Sequence, residues 1–250
     1  MRNGIFPIFT KGRVVKKESL EYLRDFPYDL ATMVHEGYSD GVLCGFKVSL
    51  TGANLLISQG ALKYQGNIII VNESTIQLSE YGKLLFIKLA IGNCRDTDDY
   101  KICRIEINVD QQEQRQENEL ELGRFCLESG AKLRCEYDSF SDLRTAENTL
   151  DLTRVTYAGR GEPTLHPRVL KEFAQALMTS SQEATDTAFG LLCLNAQIVH
   201  KKSIEWYLAK KNHSEYKEYS IAQLYDKLAE ILPGKKHRPE KPRGRWPSIT

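Results

Sequence analysis

The run Gly41-Val42-Leu43-Cys44-Gly45-Phe46-Lys47-Val48-Ser49-Leu50, followed by Thr51-Gly52-Ala53-Asn54 and Leu55-Leu56-Ile57-Ser58, decides the class of this chain. Val42, Phe46, Val48 and Leu50 occupy alternate positions, and a period of two places them on one face of a pleated strand. Thr51 to Asn54 supplies turn residues before the next apolar run. The same grammar continues outward through Ala61 to Tyr64, a turn at Gln65-Gly66-Asn67, and Ile68 to Val71. Thr75 to Leu78, Lys83 to Ile91 and Tyr100 to Val109 extend it. Strands at such even spacing predict a small antiparallel sandwich or barrel. Asp110 to Glu119 is polar throughout and is expected to form an exposed loop. Leu120 to Phe125 and Leu150 to Tyr157 return to strand-like alternation.

Gly159-Arg160-Gly161-Glu162-Pro163 ends this pattern, and the period changes beyond it. Val169, Leu170, Phe173 and Leu177 form one helical stripe. A second comprises Ala184, Ala188, Leu191, Leu192, Asn195 and Ile198, and a third runs from Ile221 to Leu232. Ser180 with Glu183 and Ser220 with Gln223 have capping-box spacing. The expected fold is α+β: an N-terminal antiparallel β-sandwich or barrel followed by a C-terminal helical region. The expected organisation is an arm and short helix over 1–37, a β-sandwich domain over 38–158, a helical domain over 164–233 and a basic, proline-rich tail over 234–250.

Ahead of the strands, Leu20, Leu23, Phe26, Leu30 and Met33 recur at three- and four-residue steps, with Pro27 expected to break or restart the helix. That stripe must lie on the chain's own core or on a neighbouring subunit. Leu20, Leu23 and Phe26 are its candidate partner-binding residues. The basic tail is either a solvated end or a contact in which Arg238, Arg243 and Arg245 pair with an acidic groove on an adjacent subunit and Trp246 anchors in an apolar pocket.

The 250 residues carry a net charge of +1, so no global field attracts nucleic acid or an anionic membrane. The longest apolar stretch, Leu84 to Ile91, is interrupted by Lys88 and falls short of the ~20 residues a membrane helix needs. Membrane insertion is not expected. The opening Met1 to Phe9 contains Pro7 and no small-residue cleavage site, so Sec-type export is not expected. The six cysteines form no Cys-x-x-Cys pair and are expected to be buried free thiols in a reducing compartment. No two of the five histidines stand at the i, i+4 spacing of a helical zinc site. Asp96, Asp98 and Asp99 lack the glycine and glutamate of a calcium loop, and no phosphate loop or Gly-x-Ser-x-Gly elbow is present. No catalytic residue, cofactor or metal site is therefore assigned, and the chain is not expected to be an enzyme.

The segments Tyr38 to Leu50 and Leu55 to Val71 resemble a module of phage tail-fibre and baseplate proteins, in which a Gly-Val opening leads through an alternating strand to paired glycines and an apolar strand. The longer run from Gly12-Arg13-Val14 through Leu23-Arg24-Asp25-Phe26-Pro27 is similar to baseplate-region proteins of prophages and phage-tail-like bacteriocins of Gram-positive bacteria. The resemblance covers Gly12 to Val71, extends more weakly over Leu120 to Tyr157 and is lost in the helical half. It implies a structural component of a contractile tail, at the baseplate, assembled in the host bacterial cytoplasm as part of a multi-subunit particle. The partners it implies are other baseplate or tail proteins, including a fibre or receptor-binding protein. A complete fibre is not expected from a chain of this length. The competing readings are a carbohydrate-binding module that touches the bacterial envelope and a hydrolase of cell-wall polymer.

Overall fold

The computed structural model describes residues 7–97, 101–145 and 147–233. The class is α+β, with antiparallel strands in small sheets followed by helices. The chain opens with helix α1 (Lys17–Val34), which continues through Pro27. The expected break at this proline does not occur, and the helix is 18 residues long.

Among the described residues, three three-stranded sheets follow. The first joins β1 (Gly41–Gly45), β4 (Gly60–Tyr64) and β5 (Asn67–Val71) in the order β1-β4-β5. The second joins β2 (Val48–Thr51), β3 (Asn54–Ile57) and β6 (Ser74–Gln77) in the order β2-β3-β6. The third joins β7 (Leu84–Asp96), β8 (Lys101–Asp110) and β9 (Glu119–Cys126), with β7 in the centre.

The alternating run that predicted one strand from Val42 to Leu50 is thus divided between two sheets. The break lies at Gly45 and Phe46, both with positive φ (80° and 54°). A Cβ on Gly45 would lie 2.3 Å from the Gln59 carbonyl oxygen, so only glycine passes the neighbouring strand there. The Phe46 ring turns into the core and lies over Gly60, where a Cβ would approach it to 2.4 Å. Two hairpins close on two-residue turns, with Thr51 opposite Asn54 and Tyr64 opposite Asn67. Gln65 and Gly66 both have positive φ, as a type I′ turn requires.

Leu150 to Tyr157 does not form the expected strand. Asp151 bridges Arg124, and Tyr157 bridges Val42 and Thr164, as isolated pairs. Between them the chain turns, with the Thr153 amide donating to the Asp151 carboxylate (2.7 Å) and the Val155 amide to the Leu152 carbonyl (3.2 Å). Such local bonds compete with a ladder.

The helical half contains α2 (Pro167–Ser180), α3 (Ala184–Asn195), α4 (Lys201–Lys211) and α5 (Ile221–Ile231). His166 caps α2 and His200 caps α4, each ring Nδ1 accepting from the amide two residues on (3.0 and 3.1 Å). Ser220 and Gln223 form the expected capping box at α5. Ser180 does not cap α3; it ends α2, and its hydroxyl donates to the Ala176 carbonyl (2.8 Å).

One apolar core lies among the strands, around Leu55, Ile57, Leu62, Ile87, Leu89 and Phe125. A second lies among the helices, around Leu170, Phe173, Ile204, Leu224 and Tyr225. The 3-10 turn Phe140–Arg144 contributes Phe140 and Leu143 to the helical core, where the Tyr225 hydroxyl donates to the Phe140 carbonyl (3.1 Å). Leu152 packs against both cores.

The cysteines differ from the expectation of buried thiols. Cys103 is disulfide-bonded, and its register partner across β7 and β8 is Cys94. Cys44, Cys126, Cys135 and Cys193 are free, but only Cys193 is buried.

Candidate interaction surface

Helix α1 has a polar strip toward the rest of the protein and an apolar arc toward solvent. At ~100° per residue, Tyr22, Met33, Phe26, Leu30, Leu23, Val34 and Leu20 succeed one another around one side. Six of these seven are exposed, from 47% for Leu30 to 63% for Met33. None of the eighteen helix residues is buried. On the opposite side, Tyr28 donates from its hydroxyl to the Asn67 side chain on β5 (3.3 Å), and the Thr32 hydroxyl is enclosed without a partner.

The attachment of α1 is concentrated at its C-terminal end. Lys63, a buried residue of β4, directs its ammonium group at the chain just beyond the helix. It donates to the carbonyls of His35 (2.6 Å), Glu36 (3.0 Å) and Tyr38 (2.8 Å). The His35 carbonyl, at the C-cap, also accepts the Tyr38 amide (3.0 Å), Glu36 and Tyr38 lie beyond the helix, and a cation there faces the negative end of the helix dipole. Asp40 accepts the Gln65 amide at 3.0 Å, and the Ser39 amide donates to the Gly159 carbonyl at 2.8 Å. The connector is therefore held on both sides of the sheet edge.

A cleft of about 670 Å³ continues the apolar arc at this end, lined in part by Ala31, Val34, Ile68 and Ile70. Ile70, on edge strand β5, is 68% exposed. Leu20, Leu23 and Phe26, the residues singled out in the sequence, are thus together on one accessible face. Val34 and Ile70 complete it but escape the sequence reading, because one ends the helix and the other reads as part of a buried strand. Arg238, Arg243, Arg245 and Trp246 lie outside the described residues.

Two other features are chemically distinct. The first is a charged cleft of about 510 Å³ between β9 and α5. Arg124 bonds Glu121 at 2.7 and 2.9 Å and Glu113 at 2.9 Å, while Lys201 meets Glu162 at 2.8 Å and Glu205 at 3.4 Å. Arg124 and Lys201 are thus paired, whereas Arg115 and Arg154, which also line the cleft, form no ion pair within 4.0 Å among the described residues. The second is α3, where the buried residues are Asp186, Phe189, Gly190 and Cys193. The expected stripe is therefore reversed, with Leu191 and Leu192 exposed. Phe189 stacks on Tyr207 at 4.0 Å, and Asp186 accepts from the Tyr207 hydroxyl (2.9 Å) and Lys211 (2.7 Å), which fixes this face inward.

Among the described residues, no group of three or more His, Cys, Asp or Glu side chains is placed to hold a metal ion; Asp98 and Asp99 are outside them. Burial, with the nearby Arg168 guanidinium, pushes the His166 imidazole down to about 4, so it remains a neutral cap at neutral pH. Burial alone raises the Cys193 thiol to about 12. No helix among the described residues is long and apolar enough to cross a membrane.

No protein-family model and no curated protein matches the chain. Among solved structures, the chain is similar in outline to one from the cryo-electron microscopy structure of the type VI secretion system TssK-TssF-TssG baseplate subcomplex. The TM-score is 0.46 and the identity 12%, over 91% of this chain and 99% of that one. It is also similar to the crystal structure of TssK (TM-score 0.37, 8% identity, 91% and 68% covered). A third similarity is to the baseplate complex from the type VI secretion system (0.37, 10%, 92% and 69%).

Proposed function

We propose that this chain is a structural component of a contractile phage tail or phage-tail-like particle, sited at the baseplate and linking it to receptor-binding proteins. The observation that carries the reading is the outward apolar arc of α1. A contiguous apolar patch that reaches the ~300–600 Å² of the largest patch on a typical monomer is often a functional contact surface. The sequence resemblance over Gly12 to Val71 supports the class of particle. In this reading the sheets are the rigid body, α1 and the residues before it make contacts, and the basic tail adds Arg238, Arg243, Arg245 and Trp246 as anchors. The division into a β domain over 38–158 and a helical domain over 164–233 belongs to the same proposal, as does assembly in the host cytoplasm. No reaction is assigned.

The test is incorporation into particles in cells that carry the surrounding gene cluster, comparing the unchanged chain with Leu23→Asp/Phe26→Asp. Both positions are exposed, so the variant is expected to fold and to be absent from purified particles. Normal incorporation of the variant would overturn the reading. A second reading, envelope carbohydrate binding, is favoured by the exposed Trp206, which packs against Tyr216 at 4.9 Å. Cell-wall binding competed by free sugar and lost in Trp206→Ala would support it.

A further inference from the structure

We infer that the apolar arc of α1 is covered by the same helix of other copies of this chain, packed parallel around a common rotation axis. The inference rests on the reading of α1 as an assembly surface and names its occupant. Three observations carry it.

The first is area. The exposures of Leu20, Leu23, Phe26, Leu30, Met33 and Val34 leave on the order of 600 Å² of accessible surface on these residues. The smallest stable interfaces bury about that much per partner. The second is width. The arc takes up roughly half of the helix circumference, wider than the seam of a two-stranded coil and suited to a helix with two neighbours.

The third is charge. Lys17 and Arg24 lie along one margin of the arc, and Glu18, Asp25 and Asp29 lie along the other. Around an axis parallel to the helices, the basic margin of each copy faces the acidic margin of the next. In an antiparallel pair, like margins would face each other and repel. Within one chain, Lys17 pairs with Glu21 at 3.4 Å and Arg24 with Asp25 at 2.6 Å, with exposed side chains. Exposed pairs of this kind hold their partners weakly, which leaves both margins free to re-pair.

The body of the protein fits this arrangement. Tyr28 and Thr32, which face the body, lie roughly opposite the centre of the arc. The sheets and helices would therefore radiate outward from a central bundle of α1 helices.

The experiment is light-scattering mass and sedimentation of the full chain at increasing concentration. The expected result is a defined mass of more than two chains, reduced to one in Leu23→Asp/Phe26→Asp with unchanged circular dichroism of the folded body. Reversing one margin, Lys17→Glu/Arg24→Glu, is expected to weaken assembly about tenfold or more at low salt. Exchanging both margins, with Glu18→Lys, Asp25→Lys and Asp29→Lys added, is expected to restore it. A one-margin variant that assembles like the unchanged chain overturns the parallel arrangement. A chain that remains monomeric overturns self-association. If that monomer is nevertheless lost from particles on Leu23→Asp/Phe26→Asp, only this proposal falls; if the variant is incorporated normally, the assembly reading falls as well.

Discussion

Replacing Lys63 with methionine keeps most of the side-chain stem but removes the ammonium that gathers the carbonyls of His35, Glu36 and Tyr38. A hydrogen bond to a charged group contributes about 1.5–3 kcal/mol, and three added together would exceed what the exchange can cost. Two effects reduce the sum. The variant no longer buries a cation, and the carbonyls lie on residues that are half-buried or exposed and so regain water. We expect a net loss of about 2–4 kcal/mol. The loss should be local, because α1 contributes no buried residue to either core. Hydrogen exchange of the α1 amides is therefore the assay, and about 30- to 1,000-fold faster exchange corresponds to that loss. The amides of β7 should change little. Lys63→Arg should rescue only in part, since a planar guanidinium does not aim three donors from one atom at converging carbonyls. Exchange in α1 altered by less than about threefold in Lys63→Met would refute the clamp.

Gly45→Ala is expected to destabilise the strand region by more than about 3 kcal/mol, since the added Cβ meets backbone on the next strand and φ is positive. A urea midpoint within error of the unchanged protein would count against the strand crossing described above. Asp142 accepts from Arg134, from the Thr145 hydroxyl and from the Asp138 amide, and the Arg134 bonds lead in holding its carboxyl down to about 2. A carboxylate depressed by folding contributes stability above its unfolded pKa of ~3.9. That contribution is lost as the pH falls from about 4 through about 2. Asp142→Asn should flatten the stability profile in this window; a profile that remains as steep would show that other groups govern it.

The strands were legible because each is short, alternating and bounded by turn residues, and the Gln65-Gly66 turn has the backbone its sequence implies. The division of Val42 to Leu50 between two sheets was not. Alternation records which side of the chain is apolar, but not where one sheet ends and the next begins. The signal lay in Gly45, whose lack of a Cβ allows the crossing. Helix α4 was missed for a related reason: Ile204, Tyr207 and Leu208 are buried, yet the helix is otherwise rich in lysine and too short to show a repeating stripe. Lys63 reads in sequence as the solvent-side residue of a strand. Its function as a clamp depends on carbonyls some 25 to 28 residues earlier in the chain.

A helical stripe is evidence of a face that must be covered, and it is silent on what covers it. In α3 the stripe centred on Leu191 and Leu192 lost the interior to Phe189 and Cys193, because the Tyr207 ring and the Asp186 bonds favour the other face. There, part of the apolar surface is the remainder of a face chosen by aromatic and polar partners. In α1 no such competition operates: no residue of the helix is buried, Tyr28 and Thr32 face the body, and Leu20, Leu23, Phe26, Leu30 and Met33 are exposed while Val34 borders the cleft beside β5. Helix α1 carries Pro27 in its interior, which costs it helical stability, and in proteins most helical stability comes from packing an apolar face. The same sequence pattern thus has different consequences at the two ends of the chain. In the assembly proposed above, covering the α1 arc would stabilise the helix itself, so that ordering of the helix would be coupled to assembly.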